Sequence, residues 1–86
     1  VMQINANTAN ITISGLTIAN GRITNSTGAG LQNFSNGAVT LNNLAFTGNQ
    51  TIAGGDGAAL NHNGTGTLNV NGSTFSGNVS ASVGGA

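Results

Sequence analysis

One eight-residue pattern occurs three times in this chain, and its spacing limits the possible folds more than any other feature. Ile11-Thr12-Ile13-Ser14-Gly15-Leu16-Thr17-Ile18 aligns with Val39-Thr40-Leu41-Asn42-Asn43-Leu44-Ala45-Phe46 and with Leu68-Asn69-Val70-Asn71-Gly72-Ser73-Thr74-Phe75, at offsets of 28 and 29 residues. Each copy is two short alternating segments around a small-polar pair (Ser14-Gly15, Asn42-Asn43, Asn71-Gly72), which reads as strand, bend, strand. A second landmark, Gly28-Ala29-Gly30-Leu31 and then Gly57-Ala58-Ala59-Leu60, comes after the first two copies and leads into a polar turn. A period of this size marks a solenoid in which each repeat is one turn of the chain. The spacing therefore predicts an all-β, open-ended parallel β-helix of three coils, each with about three short strands.

The third copy reaches its Gly-rich landmark at Gly84-Gly85-Ala86, and the segment expected next stands at the start of the chain, where Val1-Met2-Gln3-Ile4 and a polar run to Asn10 resemble the segment after Gly30 or Ala58. Joining Ala86 to Val1 keeps the period. Residues 1–86 thus read as one circularly cut block, with coils at about 11–38, 39–67 and 68–86 continuing into 1–10 of the next block. Such a block reads as a piece of a longer array.

Composition agrees with strands and excludes several partners. The 15 Asn, 15 Gly, 11 Thr and 7 Ser make up 48 of the 86 residues, poor helix material because Gly loses backbone entropy and the polar side chains compete for backbone hydrogen bonds. Charged residues are 2% of the chain, Arg22 and Asp56 alone. One Arg without any Lys cannot neutralise a row of phosphates or form a basic patch for an anionic membrane, and no apolar stretch approaches a membrane span, so neither nucleic acid nor membrane insertion by this segment is expected. There is no Cys for a disulfide framework or a zinc site. With 37% apolar and 3% aromatic residues an isolated block has a thin core, so support from outside it is expected.

Phe46-Thr47-Gly48-Asn49 and Phe75-Ser76-Gly77-Asn78 resemble the FxxN motif, and Gly84-Gly85-Ala86-Val1 across the join resembles the GGA-[ILV] motif, of polymorphic outer-membrane protein and autotransporter-type surface repeats. The first copy departs at Ile18-Ala19-Asn20-Gly21, and the landmarks at Gly28 and Gly57 are loose versions of the second motif. The resemblance implies a right-handed parallel β-helix similar in fold to pectate lyases, placed outside the cell or on its surface and associated with adhesion. Right-handedness is also the usual hand of parallel crossovers.

In such a solenoid, aligned residues stack at about 4.8 Å. Ile11, Val39 and Leu68 form one expected inward column, Ile13, Leu41 and Val70 a second, Ile18, Phe46 and Phe75 a third, and Leu31 and Leu60 with Val1 or Met2 a fourth. Asn49 and Asn78 are expected to form an amide ladder at a bend, interrupted where Gly21 takes the equivalent place. Thr12, Thr40 and Asn69 face outward.

Other candidate sites carry little chemistry. Arg22 and Asp56 read as surface residues; the Gly54-Gly55-Asp56-Gly57 loop has one carboxylate where calcium needs six to eight oxygen ligands. His62 has no second His, Cys or neighbouring carboxylate for metal binding, and Asp56 is badly placed to orient it as a general base. Pectate lyase chemistry, which requires an acidic calcium cluster and a basic catalytic residue, is therefore not carried over, and no enzyme activity, metal or cofactor is expected. The outward Thr positions are too irregular for an ice-binding face. Asn-x-Ser/Thr sequons stand at Asn10, Asn25, Asn33, Asn49, Asn63, Asn71 and Asn78, with Asn25 and Asn63 the loop positions best suited to glycosylation and Asn49 ill suited if it belongs to the ladder.

The leading expectation is a structural repeat unit of an extracellular filament or cell-surface stalk, with identical blocks stacked at both ends. Isolation forfeits about a third of the coil-to-coil interfaces on which solenoids depend. It also exposes strand edges unprotected by Pro or covering helices. A trypsin-like protease would find one site per block, Arg22. The alternative is an adhesin that binds glycans or a host surface by repeated weak contacts. A functional amyloid with one flat layer per chain ranks below both.

Overall fold

A computed structural model of the chain describes residues 2–5 and 7–82. These form eleven short strands and no helix. The first coil holds β1 (Met2–Ile4), β2 (Ile11–Ser14), β3 (Thr17–Ala19) and β4 (Arg22–Thr24). The second holds β5 (Leu31–Asn33), β6 (Val39–Asn42), β7 (Ala45–Thr47) and β8 (Gln50–Ile52), and the third β9 (Leu60–His62), β10 (Leu68–Asn71) and β11 (Thr74–Ser76). Every strand pairs in parallel with its counterpart in the next coil, giving sheets β1-β5-β9, β2-β6-β10, β3-β7-β11 and β4-β8. Val79 extends the fourth by a bridge to Gln50. The chain is a parallel β-solenoid of three coils without barrel closure.

The first two coils each carry a fourth strand that the sequence pattern does not announce. Its central position is Ile23 in β4 but Thr51 in β8, so apolar alternation disappears where the repeat should reveal it. The register elsewhere is the one the eight-residue pattern implies, with Ile11↔Val39↔Leu68, Ile13↔Leu41↔Val70 and Ile18↔Phe46↔Phe75 aligned. Met2 pairs with Leu31 and Leu31 with Leu60. Val1 and the Gly84-Gly85-Ala86 landmark lie outside the described residues, as does the join between them. Counted from β1, the layers begin at Met2, Leu31 and Leu60, the same repeat in a different phase from 11–38 and 39–67.

Bends between strands are stacked as regularly as the strands. The corner after the first long strand is Gly15, Asn43 and Gly72, at φ 71°, 55° and 58°; the next is Asn20, Gly48 and Gly77, at 59°, 64° and 63°. Only Gly and Asn visit this left-handed region routinely, which is why the small-polar pairs recur. Ala53, at φ 59° above Asn25 at 55°, breaks that rule. A left-handed L-residue costs about 1–2 kcal/mol, and Gly brings back about 0.5–1 kcal/mol of that as unfolded-chain entropy. Ala53→Gly is therefore expected to stabilise the fold by about 0.5–1 kcal/mol, read as a higher urea midpoint at unchanged slope. A lower midpoint would show that the turn does not demand this conformation.

The core is the middle of the stack. Leu31, Val39, Leu41 and Phe46 are fully buried, and Leu44, aligned one residue past the Asn43 corner, is 2% exposed. Ile11, Ile13, Ile18, Leu60, Leu68 and Phe75 pack against this cluster from the two outer coils and stay only partly buried. Phe46 and Phe75 lie with ring centroids 4.8 Å apart and planes at 1°, because equal backbone positions in successive coils impose equal rotamers.

Candidate functional site: the coil faces and the interior amides

The axial faces carry the exposed apolar residues. Met2, Leu16, Val70 and Val79 are the strongly exposed large apolar residues among those described, and all four belong to the first or third coil. Met2 is 37% exposed and Val70 38%, whereas their middle-coil counterparts Leu31 and Leu41 are 0%. The apolar columns are thus buried in the centre and open at both ends. The strand edges there are unprotected too: across the two outer coils the only charged side chain in a described strand is Arg22, which is exposed.

Inside the stack runs a set of amides whose bonds all pass between coils. Asn49 is fully buried at the bend between β7 and β8. Its Oδ1 accepts the Gly21 N–H at 3.0 Å, and its Nδ2 donates to the Ile18 carbonyl at 3.0 Å and to Asn78 Oδ1 at 2.9 Å. The Asn49 N–H donates to the same Asn78 Oδ1 at 3.1 Å, and Asn78 Nδ2 donates back to the Phe46 carbonyl at 2.9 Å. Gly21 enters the ladder only through its N–H. A Cβ there would stand 2.0 Å from the Ala29 carbonyl oxygen, so no side chain fits.

Two further interior polar groups escape a reading of alternation. Asn33 and Thr51 are buried at 0% and 1%. Asn33 Oδ1 accepts the Ser35 N–H at 2.9 Å, and its Nδ2 meets His62 Nδ1 at 2.9 Å. An amide NH₂ can only donate, so Nδ1 accepts, and the neutral ring carries its hydrogen on Nε2, 3.0 Å from the Gly66 carbonyl. His62 thus sits in one column with Ile4 and Asn33, engaged through both ring nitrogens. Thr51 Oγ1 donates to the Gly55 carbonyl at 2.8 Å, and Ser80 Oγ, aligned with it in the third coil, does the same at 2.8 Å. The sequence signal for Asn33 is the Asn-x-Ser spacing of a side-chain turn, which a glycosylation reading of the same triplet hides.

On the outer surface Asn71 Nδ2 donates to Asn42 Oδ1 at 3.0 Å, a second stacked amide pair. Of the sequon residues, Asn33 and Asn49 are buried and Asn78 is half-buried, while Asn25 and Asn63 are exposed. Asn25 sits in the left-handed turn after β4, and Asn63 directly follows β9. Asp56 is exposed in the loop before β9, with its backbone carbonyl near the Gly28 N–H at 3.3 Å. No cluster of three metal-ligating side chains and no pocket occurs among the described residues. Comparison with family models, with curated proteins and with solved structures finds no match to this chain.

Proposed function

We propose that this block is a structural repeat unit of an extended β-solenoid, a filament or surface stalk outside the cell, continued at both ends by further coils of the same kind. The observation that carries this reading is the burial gradient along each inward column, from Leu41 at 0% to Val70 at 38%. Another coil on the third would place Met2, Ile11, Ile13 and Ile18 of a following block over Leu60, Leu68, Val70 and Phe75, apolar on apolar in these four columns. Tandem repetition in one chain and end-to-end stacking of separate chains both supply that coil. The Phe and Asn of the FxxN-like motif also have distinct tasks in the stack, Phe46 and Phe75 in the core and Asn49 and Asn78 in the ladder. The FxxN-like motifs, which resemble those of surface repeats, support the extracellular placement.

The test is electron microscopy with helical reconstruction of assembled or tandem-repeated material. Three coils at about 4.8 Å give an axial advance of roughly 14 Å per 86 residues. An advance near 4.8 Å would instead mean a one-layer amyloid, and separate globules without axial continuity would overturn stacking. The adhesin reading is supported by the uncharged outward rows Thr12/Thr40/Asn69 and Ser14/Asn42/Asn71. Saturable binding to a glycan surface, competed by free sugar, would favour it.

A further inference from the structure

The interior ladder has a direction. Reading from the first coil to the third, each ladder-position N–H donates forward into the amide oxygen of the next coil, Gly21 into Asn49 and Asn49 into Asn78. Each amide nitrogen donates backward to a carbonyl of the preceding coil, Asn49 to Ile18 and Asn78 to Phe46. The second Nδ2 hydrogen of Asn49 also goes forward, to Asn78 Oδ1. At Asn78 the series stops: its N–H and second Nδ2 hydrogen are repeat-equivalent to the two donors that Asn49 sends forward, and they have no acceptor among the described residues. By equivalence with Asn49, these two donors are aimed along the axis toward one place beyond the third coil.

We infer that the free face of the third coil is built to receive a coil with a carboxamide at the ladder position in preference to a copy of this block's first coil. The inference rests on the extended-solenoid reading. A copied first coil would set Gly21 above Asn78, where there is no oxygen to accept either donor and where the close Ala29 carbonyl forbids adding one. The apolar columns discriminate little between these neighbours, since every coil offers them Ile, Leu, Val, Met or Phe. Selection falls to the amide, because a donor enclosed without an acceptor is penalised while a complementary one is not. Gly21 marks where a ladder starts, and Asn78 is a rung from which it continues. The preferred partner is a further Asn-bearing coil of the same repeat, so that blocks of unequal coils are ordered along the array.

The experiment extends the full chain at its C-terminus with a copy of residues 30–59, in one version unchanged and in the other carrying N49G within the copy only. Amide hydrogen exchange then reports two things separately. Val39 donates its N–H to the Thr67 carbonyl of the next coil, so slowed exchange at the equivalent Leu68 shows that an added coil is seated. Exchange at the Asn78 N–H reads the ladder. With both copies seated, the unchanged copy is expected to slow Asn78 at least about tenfold relative to the N49G copy. Seating of the unchanged copy alone is the same result in a stronger form, because Asn49's bonds to the coil beneath it are the junction being tested. Equal protection of Asn78 by both seated copies would overturn the inference and leave stacking intact. Failure of both copies to slow Leu68 would overturn the stacking reading itself.

Discussion

Replacing Asn49 with Ala is expected to cost the fold about 3–5 kcal/mol, more than any other single polar truncation in the chain. Three groups lose a bond at once: the Gly21 N–H, the Ile18 carbonyl and the Asn78 amide oxygen, the last keeping only the Asn49 N–H. Asn49 is 0% exposed, so water does not reach the vacated place without opening the stack, and each stranded group costs about 1–3 kcal/mol. Asn78→Ala removes an amide of the same kind from an outer coil, where Asn78 is only half-buried. There the loss should be about 1–2 kcal/mol, since solvent takes over part of the bonding. Urea unfolding monitored by far-UV circular dichroism checks both variants. Equal losses for the two would mean that the ladder is not desolvated at the middle coil, and burial would no longer explain why Asn49 matters more than Asn78.

Phe46→Ala should be comparably damaging, at about 3–5 kcal/mol, by a different route. Phe46 is fully buried and stacked on Phe75, so truncation leaves a void bounded by two coils whose spacing is fixed by backbone hydrogen bonds. A solenoid cannot collapse along its axis into such a gap without breaking its ladders. Phe75→Ala, with one face already open, should cost about half as much, and Phe46→Leu about 1–2 kcal/mol because most of the volume is kept. The same unfolding measurement decides. A Phe75→Ala loss as large as that of Phe46→Ala would contradict the open third-coil face on which the proposed function depends.

The contrast within each pair of variants comes from position in the stack, and here sequence and structure divide. The alignment of Ile11, Val39 and Leu68, or of Ile18, Phe46 and Phe75, is legible because one alternation of apolar and small polar residues returns at a near-constant interval. Corners at Gly15, Asn43 and Gly72 are legible for the same reason: left-handed backbone admits few residue types. The fourth strand is not, because its inward position is Ile23 in one coil, Thr51 in the next and Ser80 in the third. A hydroxyl is acceptable there only because the Gly55 carbonyl lies within 2.8 Å of both Thr51 and Ser80. Nothing along the chain marks that carbonyl as available.

Asn33 and His62 show the same division. As sequence, His62 is an isolated histidine and Asn33 the start of a sequon; in the fold they occupy one column, and each supplies what the other lacks. Periodicity by itself determined the class of fold, the three coils, the register of three sheets and the places where the chain must turn. Only the tertiary structure decided which polar residues lie inside, which apolar ones are left open and which way the interior amides point. The physical reason is that a parallel solenoid satisfies its strands across coils, so partners such as Asn49 and Asn78 stand 29 residues apart. A repeat reveals that spacing, but the direction and completeness of the bonds depend on which coil lies on either side.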